Sequence, residues 1–232
     1  MAKLSVAKIN LENARKMRSN LFKHAENWHG WSGENYRARW KSARRFFVGF
    51  KPVLFKAKKG TFVVDACATV HDSPYGIRLA VSDNKKLVNL MVARLSFEGK
   101  EVTIRAIQGE PIVDEKGYHV SRTNLGALRE FEKQNGKAAN FLFNELKKQA
   151  KELGYSKLLL LKPQNTASYI SAMITETWRK RFDKLRKEYG SESSEPSRII
   201  MREIRERMAK FYQEIADTEK LVDKGEHWEV TL

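Results

Sequence analysis

Arginine beside tryptophan is the pairing in this chain with the clearest chemical use. Arg37, Arg39, Lys41, Arg44 and Arg45 follow Trp31, with Tyr36, Trp40, Phe46 and Phe47 among them. Guanidinium forks match phosphate oxygens, and flat rings offer stacking faces, so Trp31, Arg37, Arg39, Lys41, Arg44 and Arg45 form a candidate nucleic-acid-binding set. The first sixty residues hold fifteen Lys and Arg against three Glu, which places +12 of the formal net charge of +16 in a quarter of the chain. A polyanion is the expected partner, nucleic acid ahead of an acidic membrane surface. No zinc-finger or RRM signature accompanies the charge, so phosphate contacts with little sequence preference are expected.

Other chemistry is sparser. Cys67 is the sole cysteine, which excludes an internal disulfide and a cysteine-based metal site. The five histidines show no i, i+4 pair, and no structural metal is expected. Asp65 and His71 share a side of one predicted strand, but six residues of strand span roughly 20 Å, so they form no dyad unaided. Glu110 follows Gln108-Gly109, and a carboxylate over an apolar floor has its pKa raised, so it is a candidate base toward an amine.

These residues must be positioned by a globular framework. The chain has 232 residues and 41% apolar content, enough for one substantial core. No apolar run approaches the ~18–20 residues that cross a bilayer, and residues 1–11 lack a signal-like stretch, so a cytoplasmic location is expected. Leu11, Ala14, Leu21, Ala25 and Trp28 predict an amphipathic helix over 10–27. Tyr36, Trp40, Ala43 and Phe47 predict a second, capped by Ser32. The charge bias fades after Lys59, which predicts a basic helical segment over 1–60 and an α/β domain over 61–232.

From Thr61 the hydrophobic period changes to 2. Strands are predicted at 61–70, 77–82, 87–97 and 101–107, with short connections that imply an antiparallel meander. Residues 110–127 read as irregular. Ala139, Leu142, Phe143, Leu146, Ala150 and Leu153 predict a helix over 137–153, and Lys157 to Leu161 is an apolar run typical of a strand buried on both faces. Strand, helix and strand make a βαβ-like crossover. Trp178, Phe182, Leu185 and Tyr189 predict a further helix. After a break at 190–196, Met201, Ile204, Met208, Phe211 and Ile215 predict another, and His227 to Leu232 is a final strand. The fold class is therefore α/β (α+β), a mixed sheet with a charged helical insertion at about 170–200.

This order of elements resembles the GNAT superfamily of acyl-CoA-dependent N-acetyltransferases over about 61–169 and 198–232. In that family a glycine-bearing loop at a helix N-terminus cradles the cofactor pyrophosphate. Lys133-Gln134-Asn135-Gly136-Lys137-Ala138 is similar to it, with Lys133 where Gln or Arg is usual. The resemblance assigns Lys133, Gly136, Lys137 and Ala138 to the pyrophosphate, and Ile107, Gln108 and Gly109 to the pantetheine arm. It likens Asn165 to an asparagine found after the fifth strand, and Tyr212 to the tyrosine that protonates the leaving thiolate. It thus implies acetyl-CoA or another acyl-CoA as cofactor and an amine as acceptor substrate. Three functions stand side by side: an N-acyltransferase, a non-catalytic nucleic-acid-binding protein that uses the basic helices, and a partner-directed interaction protein.

Overall fold

The computed structural model describes residues 43–58, 60–68, 75–83, 86–109, 112–113, 119–121, 124–163 and 176–232. Its centre is an eight-stranded sheet. In chain order the strands are β1 (Val53–Lys56), β2 (Thr61–Ala68), β3 (Tyr75–Asp83), β4 (Lys86–Glu98), β5 (Glu101–Gly109), β8 (Lys157–Leu161), β9 (Val222–Asp223) and β10 (His227–Thr231). Their order in space is β1-β2-β3-β4-β5-β8-β10-β9. All neighbours are antiparallel except β5 and β8. The expected meander is thus present, and Gly99 at φ 55° supplies the left-handed residue its tight β4–β5 turn requires. A separate two-stranded ribbon, β6 (Ile112–Val113) with β7 (His119–Ser121), follows β5.

Parallel strands cannot be joined by a hairpin, so a helical crossover links β5 to β8. It consists of α1 (Leu125–Asn135) and α2 (Ala138–Glu152). The second matches the helix predicted from period 3.6, and Leu142, Phe143 and Leu146 are fully buried. The first begins at the end of the segment expected to be irregular, 110–127, and continues through residues to which no element was assigned, because Phe131 is its one buried residue and leaves almost no apolar period to read. Asn124 caps it by accepting from the Ala127 N–H at 3.1 Å. After β8 come α3 (Glu176–Tyr189) and α4 (Glu195–Thr218). They clasp each other around Leu185, Ile200 and Ile204, with Arg181 Nη2 2.9 Å from Glu203 Oε1. The C-terminal part of α4 leaves this satellite core and buries Tyr212, Ile215 and Ala216 in the main one.

The compositional boundary near Gly60 does not separate two packing units among the described residues. Helical residues 43–49 and the residues that follow place Phe46, Phe47 and Phe50 in the main core, against Phe97 and Tyr155. Gln149 of α2 accepts from the Lys51 N–H at 3.2 Å and donates to the Lys51 carbonyl at 3.1 Å. β1 then adds an edge strand to the sheet. Net charge reports the solvated side of an amphipathic segment, whereas its rings decide where it packs. The expected helix over 10–27 and the start of the next lie outside the described residues. No described helix is long and apolar enough to cross a membrane.

Candidate site at the divergence of two parallel strands

β5 and β8 pair only from Glu101 with Lys157 to Ile104 with Leu160. β5 nevertheless continues to Gly109, still bonded to β4 as far as the Met91–Gly109 pair. A bulge marks the change: Leu95 faces Ile104 while Arg94 faces Ala106, so Arg105 is the extra residue. Bulges bend and twist the strand that carries them. Beyond Ile104, β5 runs on past the end of β8 at Leu161, and its backbone needs other partners on that side.

One such partner is a side chain. The Ile107 N–H donates to the Tyr212 hydroxyl at 2.9 Å. Tyr212 is 1% exposed, and a buried phenol costs little only when its hydroxyl is bonded. Accepting this bond uses a lone pair of the hydroxyl and not its proton. Phe211 packs edge-on against the ring at a centroid distance of 5.5 Å. Two residues on, Glu214 Oε2 lies 2.6 Å from Lys137 Nζ at the start of α2. The hydrogen bond and charge of that ammonium hold the Glu214 carboxyl below its usual range. The pair ties the tyrosine helix to the N-terminus of α2.

That N-terminus is the Lys133–Ala138 elbow. Gly136 adopts φ 80° and ψ −174°, a conformation essentially restricted to glycine. The Ala138 N–H already donates to Glu132 Oε1 at 3.1 Å. A carboxylate of the chain itself thus sits at the positive end of α2. Lys133 and Lys137 are exposed beside it. The structure accordingly joins Gly136, Lys137 and Ala138 to the tyrosine helix through Glu214, and Ile107 to Tyr212 directly. Gln108 and Gly109 complete the free end of β5. Glu110 and Asn165 lie outside the described residues, as do Trp31, Arg37, Arg39 and Lys41. Arg44 and Arg45 are both exposed. The Arg45 guanidinium lies over the end of α2, where a Cβ on Gly154 would come within 3.2 Å of Nη2. It also opposes the burial that pushes the neighbouring Tyr155 phenol up to about 12.

Sequence reasoning weighed Asp65 only against His71 and missed Arg78, its cross-strand neighbour. Asp65 and Arg78 face each other across β2 and β3, fully or almost fully buried. Arg78 Nη1 donates to Asn89 Oδ1 at 3.1 Å. The signal was an acid and a base inside two otherwise apolar strands. At the open end of β8, His227 stands opposite Leu161 with its Nε2 3.9 Å from Glu229 Oε2. Among the described residues no group of His, Cys, Asp and Glu is arranged to hold a metal ion. No protein-family model, curated protein or solved structure matches the chain, so the chemistry of this site rests on its own geometry.

Proposed function

We propose that the chain is a GNAT-like, acyl-CoA-dependent N-acyltransferase whose centre is the divergence of β5 from β8. The observation that carries this reading is the Tyr212 hydroxyl, bonded to the Ile107 N–H beyond the last pair of β5 with its parallel neighbour. Beside the Ile107 N–H held by Tyr212, the free edge of β5 presents the Ile107 carbonyl and the peptide groups of Gly109, which suit the amide-bearing pantetheine arm, with Gln108 between them. Lys133, Lys137 and the N-terminus of α2 suit its phosphates. The Glu132 carboxylate shares that end, and an incoming phosphate displaces it from the Ala138 N–H.

Acyl-CoA supplies an acyl group activated as a thioester. In the transfer a C–N bond to the amine forms, the C–S bond breaks, the amine loses a proton and the sulfur gains one. Tyr212 holds a proton at its hydroxyl for the sulfur, and the apolar wall around it excludes water from that proton's path. The amine reacts as its free base. His227, oriented beside Glu229, and the loop carboxylate Glu110 are the groups suited to take the amine proton.

Calorimetric titration with acetyl-CoA tests the reading. Saturable binding is expected, weakened by Lys137→Glu. Absence of heat at millimolar acetyl-CoA would overturn it.

A further inference from the structure

The sheet has two chemically different faces. On β2–β5 the residues that join the main core, such as Val64, Leu79, Leu95 and Ile104, are apolar. The residues alternating with them point the other way; they include three arginines, Arg78, Arg94 and Arg105, and three carboxylates, Asp65 and the Glu98–Glu101 pair at the β4–β5 turn. The three differ in what answers their charge. Arg78 stands opposite Asp65 and donates to Asn89. Arg105 is exposed and its Nε lies 3.2 Å from Ser96 Oγ. Arg94 is half-buried, and among the described residues it has no acidic or hydrogen-bonding partner. The same holds for the half-buried amide of Gln108.

Partly burying a guanidinium and an amide without partners costs solvation that a ligand recovers. Their placement says what kind of ligand. The cross-strand neighbours of Arg94 are Gly76 on β3 and Ala106 on β5, the two smallest residues available, so the sheet surface beside its side chain is low. Gln108 lies two residues beyond Ala106, on the free end of β5, next to Ile107 and its bond to Tyr212. A group held by Arg94 and Gln108 therefore lies across the sheet from the Tyr212 ring, which is on the main-core face, and meets the proposed centre of acyl transfer at the free edge of β5.

From this juxtaposition we infer that the second face of β4 and β5 is the acceptor subsite, and that the acceptor is a small amine carrying one carboxylate, which Arg94 receives as a fork and Gln108 orients. One half-buried cation calls for one anionic charge, and the planar guanidinium matches a planar carboxylate. The inference rests on the proposed acyl transfer and adds the substrate class to it.

The test uses the full chain with acetyl-CoA and matched amines with and without a carboxylate, phenylalanine against phenylalaninamide and leucine against leucinamide, with spermidine as a cationic comparison. Thiol release is the readout. For the carboxylate member of each pair, KM is expected to be lower by about tenfold or more, the worth of one charge-assisted bond. Arg94→Gln should bring that ratio close to one without moving the acetyl-CoA Kd, and Arg94→Lys should restore part of it. Equal KM values, a preference for spermidine, or failure of a chain that binds acetyl-CoA to acylate any of the carboxylate amines overturns the inference alone. Calorimetry with phenylalanine and its amide, without acetyl-CoA, separates the two readings. Carboxylate-dependent heat lost in Arg94→Gln supports the subsite even where acetyl-CoA fails to bind, and its absence overturns the subsite.

Discussion

Replacing Tyr212 by phenylalanine removes one oxygen atom from the middle of the proposed centre and separates its two roles. The hydroxyl is the acceptor for the Ile107 N–H at 2.9 Å, and the ring around it is 1% exposed. Without the oxygen, that N–H is left in a buried site, which costs about 1–3 kcal/mol. A chain of this size loses about 2–4 °C of Tm per kcal/mol, so the variant should melt about 2–12 °C lower. Acetyl-CoA should bind at least as tightly as before, because the freed N–H can now bond the pantetheine arm. Turnover should nevertheless fall by about 10²-fold, the typical worth of a positioned general acid. Differential scanning fluorimetry, calorimetric titration and a thiol-release assay on the same preparation read the three quantities. A Tm within about 1 °C of the parent would refute the claim that this bond is buried. Unchanged turnover alongside intact binding would refute the proton-donor role and leave Tyr212 as a packing residue.

Gly136→Ala should destabilise the chain by about 1–3 kcal/mol in urea titration, because φ 80° with ψ −174° strains any L side chain even where nothing crowds its Cβ. Glu203, Glu214 and Asp223 are each held below the ordinary carboxylate range, chiefly by hydrogen bonds from Arg181, Lys137 and Lys162. The folded-state values are depressed, so the stability these pairs add is present above about pH 4 and lost as pH falls through the lowered values. A Tm profile from pH 7 to 3 should therefore drop on its acid limb, and Arg181→Gln should make that drop shallower. Arg44→Glu with Arg45→Glu tests the polyanion expectation. Fluorescence anisotropy should show binding of a single-stranded oligonucleotide that weakens with salt and with the charge reversal, each lost phosphate contact flattening the log–log salt slope by about 0.7. Binding indifferent to both would leave these arginines as structural, as the position of Arg45 over Gly154 already suggests for one of them.

The strands of the meander, the helix at Ala138–Glu152 and the short strand at Lys157–Leu161 are legible in the sequence. There a local period of 2 or 3.6, or an unbroken apolar run, encodes which faces are buried. The apolar stripe of α4 is legible for the same reason, and so is the mixed character of the sheet. The polar helix at Leu125–Asn135 is not, since a single buried phenylalanine makes no period. Nor is the membership of residues 43–58 in the core, because their charges describe the solvent side and hide the destination of Phe46, Phe47 and Phe50. The site lies at the far end of this scale. The sequence, through its order of elements, singled out Tyr212 and Ile107 as separate positions 105 residues apart, and only the tertiary structure brings them within one hydrogen bond. The end of the β5–β8 pairing, the Asp65–Arg78 pair and the placement of Arg94 depend on strand register and on a one-residue bulge. Register is set by long-range pairing, and a shift of one residue would turn each of these side chains to the opposite face.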